Sequence, residues 1–196
     1  LTFSSNGQTG TATLRTPAGE RTFSSTNTEY AEVGGYATLT TSRKGNDVFY
    51  VIRERTGEVI AFRDTSTFSS PGAALAYTAD RLGNRITPTY TGDRITAFSD
   101  AVGDTETYAY DANGRMVQST DAVGRVTTYA YDASDEHLLS ITNAAGTKSF
   151  TWVTGQGAQR EHALASVAYP DGTHDFFTYD TRGRLATSSR DGGASL

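Results

Sequence analysis

Residues 100–132 read DAVGDTETYAYDANGRMVQSTDAVGRVTTYAYD, which is nearly one phrase written twice. Laying 100–120 over 121–141 gives identities at Asp-Ala-Val-Gly, at Thr-Tyr-Ala-Tyr-Asp-Ala and at one Ser. Self-similarity at a short fixed period marks units that bury surface only by stacking on their neighbours. Each copy resolves into two turns and two strand-like runs. Asp-x-x-Gly recurs at Asp80 and Gly83, Asp100 and Gly103, Asp111 and Gly114, Asp121 and Gly124, and Asp180 and Gly183, with Asn143 and Gly146 as a variant. The leading Asp or Asn bonds the backbone two residues on, and Gly supplies a positive φ at the end. A turn about every eleven residues reads as a β-meander with one hairpin per phrase. The repetition is structural.

Aromatic placement agrees. A Tyr follows a turn Gly by seven residues at Tyr90, Tyr110, Tyr131 and Tyr179, and Pro88, Tyr108, Tyr129 or Phe177 stands two residues before it. Positions two apart share a strand face, so alternate strands carry an aromatic pair on one side. Thr105, Thr107 and Ala109 take the other. Such a stripe has two uses. It packs across strands at about 0.2–1 kcal/mol per pair, or it stacks on a sugar, with Arg115, Arg125 and Arg184 alongside. The residues of this second reading are Tyr108, Tyr110, Tyr129, Tyr131, Phe177, Tyr179, Arg115 and Arg184.

Composition sets the outer limits. With 196 residues, 36% of them hydrophobic and 11% aromatic, the chain can bury a core, and its aromatic content is not that of a disordered one. A net charge of −5 with Lys and Arg scattered singly lacks the basic patch of a nucleic-acid binder. No apolar run approaches the ~18 residues of a membrane span. Zero Cys removes disulfides, thiol catalysis and thiolate metal sites together. Leu1 in place of an initiator Met gives the expectation that the chain derives from a larger protein.

The phrases Tyr110-Asp111-Ala-Asn-Gly114-Arg115-Met116 and Tyr179-Asp180-Thr-Arg-Gly183-Arg184-Leu185 resemble the signature of the YD repeat, also called the Rhs repeat. Bacterial Rhs proteins, toxin-complex C subunits and teneurins share it. The resemblance covers roughly 76–192, with departures: the segment after Asp132 loses the Gly-Arg, and Asp80 lacks its preceding Tyr. It implies a β-strip spiralling into a hollow shell that in toxins encloses a C-terminal payload. The family's self-cleaving Asp-Pro-x-Gly element is absent, so autoproteolysis is not carried over.

The expected fold is therefore all-β, an antiparallel meander of repeated hairpins forming a curved or spiralling sheet. Residues 1–75 read as a degenerate meander leading into the repeats of 76–196. Its turn-like spots include Asn6-Gly7 and Pro17-Ala-Gly19, and 66–72 is a longer connection. An irregular insertion falls near 154–166, where 158–165 predicts about two turns of helix. Asp191-Gly192-Gly193 reads as a further turn.

Candidate chemistry is thin. His137, His162 and His174 lack metal-ligand spacing, and the Asp of Asp-x-x-Gly are explained by turn geometry. No Gly-x-Ser-x-Gly, His-Glu-x-x-His or EF-hand loop occurs. The sequence thus predicts no catalytic, metal or cofactor site. The expected function is a non-enzymatic structural segment of a large exported protein, secreted or on the cell surface. A carbohydrate- or cell-surface-binding module is the alternative, and a polysaccharide-acting enzyme a weaker one. Expected partners are the remainder of the parent chain or another copy joined through sheet edges; a polysaccharide or cell-surface receptor belongs to the alternative.

Overall fold

The computed structural model describes residues 2–5, 10–16, 19–25, 29–65 and 72–191. Among the described residues the chain is all β-strand and turn, with no helix. It forms two compact units, 1–105 and 106–196; the change in motif regularity after residue 75 falls inside the first. The turn-like Asn6-Gly7 and Pro17, most of the 66–72 connection and the Gly192-Gly193 turn lie outside the described residues.

The first unit holds β1 (Thr2–Ser5), β2 (Gly10–Thr16), β3 (Gly19–Ser25), β4 (Glu29–Glu32), β5 (Thr38–Lys44), β6 (Asp47–Arg53), β7 (Val59–Asp64), β8 (Ala73–Ala79), β9 (Arg85–Thr91) and β10 (Arg94–Ser99). Each pairs antiparallel with the next. Alternation puts every second side chain on one face. In β3, Phe23 and Ser25 are buried and Ser24 is exposed; in β5, Leu39 is buried between exposed Thr38 and half-buried Thr40. Phe23, Leu39 and Ile52 are fully buried and form the core with Ala12, Leu14 and Ala37, against which Tyr30, Tyr50, Ile60 and Phe62 pack. Burying side chains of this size is worth about 1.5–3 kcal/mol each, so this cluster is the unit's main source of stability. Arg21 ties its rim, 2.7 Å from Glu32 and 2.7 Å from Glu54.

The second unit holds β11 (Thr105–Tyr110, which begins at the boundary), β12 (Met116–Thr120), β13 (Val126–Tyr131), β14 (Leu138–Asn143), β15 (Gly146–Trp152), β16 (Leu164–Ala168), β17 (His174–Tyr179) and β18 (Leu185–Arg190). They too pair in sequence order, antiparallel. Burial alternates here between exposed and half-buried, as along β13. Only His137, Val153 and Val167 are buried among its described residues. Its stability rests less on a core and more on what joins each hairpin to the next.

One expectation is corrected. Residues 158–165 form no helix. The connection between β15 and β16 is a chain of turns in which Arg160 N–H and Glu161 N–H both donate to the Gly157 carbonyl and Ala163 N–H donates to Arg160. It is closed by Val153 N–H to the Ala163 carbonyl and His162 N–H to the Val153 carbonyl. So short a segment gains too few helical bonds to offset nucleation. His162, at φ 66°, turns the chain out of any helical path, and the Glu161 carboxylate accepts from Gly155 N–H at 2.9 Å, which fixes the loop instead.

Candidate functional site

The repeat's turns are built on one side chain. Asp111 N–H donates to the Arg115 carbonyl, and the Asp111 carbonyl accepts from Gly114 N–H. Its Oδ1 accepts from Asn113 N–H and Arg115 N–H, each at 2.9 Å, while Oδ2 accepts from Arg115 Nε at 2.8 Å. Asp121 repeats this with Val123 and Arg125, and Asp180 with Arg182 and Arg184. At Asp80, Asn84 stands in for the Arg. Asp100 accepts three backbone N–H groups, from Val102, Gly103 and Asp104. The Gly-Arg of the phrase thus has two distinct jobs: Gly closes the turn at positive φ, and Arg neutralises the Asp that organises it. Gly83, Gly103, Gly114, Gly124 and Gly183 have φ between 76° and 99°. Asn143 and Gly146 instead face each other across a two-residue loop, with Gly146 at φ 117°.

Hydrogen bonds to these carboxylates hold them ionised. The Asp111, Asp121 and Asp180 carboxyls lie below the ordinary range because the backbone N–H four residues on donates to each. Asp132 is held lower still, first by the Ser134 hydroxyl and then by His137.

Part of the aromatic stripe is a clasp, made by Tyr131 and Tyr179. Where each hairpin leaves its turn, the second strand carries one extra residue: the pairing jumps after Ala109/Gln118 to Tyr110/Met116, after Ala130/Ser140 to Tyr131/Leu138, after Thr151/Ser166 to Trp152/Leu164, and after Thr178/Thr187 to Tyr179/Leu185. A bulge interrupts the ladder. The aromatic of the next hairpin donates to the carbonyl exposed there: Tyr131 Oη to Met116 O at 3.0 Å, Trp152 Nε1 to Leu138 O at 2.9 Å, and Tyr179 Oη to Leu164 O at 2.9 Å. Tyr90 makes the same bond to Leu75 in the first unit, at 3.0 Å. Every clasp needs a donor on an aromatic ring, which is why Trp152 can serve where Tyr is usual and Phe could not. Trp152 was missed in the sequence reading, although it follows Tyr131 at the same 21-residue step by which Tyr131 follows Tyr110.

As to the sugar-stacking reading, Tyr108, Tyr110, Tyr129, Tyr131, Phe177 and Tyr179 are all half-buried. The Arg115 guanidinium covers the Tyr131 ring at 4.6 Å, and Ser119 and Tyr129 hydroxyls lie 3.5 Å apart. Arg184 is committed to Asp180 at 2.7 Å.

Along one edge of the second unit, successive turns are tied side chain to side chain. Arg115 Nη1 lies 2.6 Å from Asp135 Oδ1, and Asn113 Nδ2 donates to Asp135 Oδ2. Asp135 takes the place of a turn Gly and, at φ 67°, its conformation too. The same turn, 132–137, then meets the β15–β16 loop: His137 Nε2 and His162 Nδ1 are 2.8 Å apart. That loop closes on the next turn in its own right, since a Cβ on Gly183 would stand 2.0 Å from the Gln159 carbonyl oxygen. The sequence separates His137 and His162 by 25 residues, and nothing in their spacing announces that the insertion folds back.

A family profile described as RHS Repeat matches residues 90–126 and 110–148. No curated protein matches the chain. The two profile matches cover under a third of the chain and fall on the hairpins with the Asp111 and Asp121 turns and the Tyr131 clasp; the same clasp geometry recurs around Tyr90 and Tyr179, so these hairpins are similar to Rhs, or YD, repeats.

Proposed function

We propose that the chain is a non-enzymatic structural segment of a large exported Rhs-repeat protein, building part of a β-shell or scaffold that encapsulates, presents or adheres. The observation that carries this reading is that the signature residues are spent inside the sheet. Tyr131 and Tyr179 clasp the preceding hairpin, Asp111, Asp121 and Asp180 organise their own turns, and Arg115, Arg125 and Arg184 neutralise them. A motif used up in this way builds surface and leaves no acid–base pair or nucleophile poised over a cleft. The scarcity of buried side chains in the second unit supports a single-layer wall over an enzyme's closed core. The parent is a bacterial secreted or surface protein in this reading.

Its partners are the rest of the parent chain or a second copy, joined through sheet edges. Among the described residues of the second unit β18 pairs with β17 and no other strand, and an unpaired strand edge is a template for another chain. Light scattering over a concentration series, run beside a glycan array and a panel of polysaccharides, tests the reading. Mass rising with concentration and no glycan bound or hydrolysed supports it. A strict monomer at high concentration that binds glycans points to the carbohydrate-binding module, and turnover points to the enzyme.

A further inference from the structure

The two places where the repeat breaks its own rule meet in space. Five residues after Asp132, rather than four, stands His137 in the role Arg plays elsewhere, its Nδ1 2.7 Å from Asp132 Oδ2. The β15–β16 loop is the one long connection among the turns of the second unit's described residues, and it delivers His162 onto His137. We propose that Glu136, His137 and His162 bind a divalent transition-metal cation of the zinc class, clipping this loop to the 132–137 turn.

The donor chemistry is in place. An ionised Asp132 only accepts, so His137 Nδ1 carries the proton and Nε2 keeps its lone pair toward His162. A carboxylate behind an imidazole is the usual means of fixing the tautomer and ring direction of a metal-ligating His. His162 holds a left-handed backbone, φ 66°, which is strained for a non-Gly residue; here it turns the ring onto its partner. The two rings stack at 4.9 Å, and Trp152 backs His137 at 5.0 Å.

The distances fit a small cation. One donor atom from each of Glu136, His137 and His162 lies within 4.8 Å of the others, and His162 Nδ1 is 3.8 Å from Glu136 Oε2. Tetrahedral ligands at ~2.0–2.1 Å from zinc stand ~3.3 Å apart. The imidazole nitrogens need to part by about half an ångström, and the carboxylate to approach His162 by a similar amount and His137 by up to about 1.5 Å, movements open to exposed His162 and Glu136 while buried His137 stays fixed. Two imidazoles and one carboxylate favour zinc, copper or nickel over calcium or magnesium. Three protein donors leave a coordination position for water on the solvent side.

The chain's single Trp is Trp152, which makes the site self-reporting. The test is calorimetric titration of the chelator-treated protein with Zn²⁺, with Cu²⁺ quenching of Trp152 fluorescence in parallel. The expected result is saturation at one equivalent, at least tenfold weaker affinity in His162→Asn and in Glu136→Gln, and unchanged affinity in His174→Ala. Asn tolerates the left-handed backbone, so His162→Asn keeps the loop's path; Glu136 is exposed, so Glu136→Gln is a second variant that folds. No saturable binding by the unmutated chain, or full affinity in His162→Asn, overturns the proposal.

Discussion

Asp111 shows how much one residue carries in this chain: four backbone hydrogen bonds, counting those of its side chain and main chain, and an ion pair with Arg115. The glycine three residues later has a narrower role that differs from turn to turn. Gly103, at φ 99°, faces open space where a Cβ would go, whereas Gly183, at φ 76°, lies under the Gln159 carbonyl. Both substitutions to Ala carry the conformational penalty of a left-handed residue, about 1–2 kcal/mol. Gly183→Ala carries in addition a clash with backbone, which adds about 1–3 kcal/mol. Chemical denaturation of the two variants is expected to rank Gly183→Ala clearly below Gly103→Ala. Equal losses would mean that the β15–β16 loop does not press on this turn.

At the scale of the element, the Asp-centred turn is a pH-sensitive device. Asp80, Asp111, Asp121, Asp132, Asp171 and Asp180 all have carboxyls held below their ordinary range by hydrogen bonds. A carboxyl whose folded pKa is depressed contributes stability that is present above its unfolded value, about 3.9, and lost as pH falls through the folded value. Denaturation midpoints are expected to hold from neutrality to about pH 5 and to fall steeply below about pH 4; equal midpoints at neutral pH and pH 2.5 would contradict this role. The turns were legible in the sequence because Asp and Gly at fixed offsets have a local physical reason, and so was the meander, because its rhythm is local too. The clasps were half legible. Tyr131 and Tyr179 declare themselves by spacing, but the bulge that creates their acceptors depends on cross-strand register, which no single strand encodes. The β15–β16 loop was misread as helix because Ala158, Ala163 and Ala165 have helical propensity, while closure between Val153 and Ala163 is a contact across the loop. His137 beside His162 follows from that closure and was equally hidden.

For the whole molecule, the two units reach stability by different means. The first buries Phe23, Leu39 and Ile52 in a cluster of the ordinary kind. The second has few buried side chains and relies on a bond passed from hairpin to hairpin, Tyr131 to Met116, Trp152 to Leu138 and Tyr179 to Leu164. Such an arrangement extends without limit, since each hairpin supplies both the donor for the previous bulge and the bulge for the next donor. The central claim is that the Tyr of the repeat serves this joint, and Tyr131→Phe and Tyr179→Phe test it most directly, because they remove a hydroxyl and keep the ring. Urea unfolding of each variant, with the unmutated chain beside it, is predicted to show a loss of about 0.5–1.5 kcal/mol for the missing hydrogen bond, or more where the carbonyl is left without a partner. Midpoints unchanged from the unmutated chain in both variants would contradict the account.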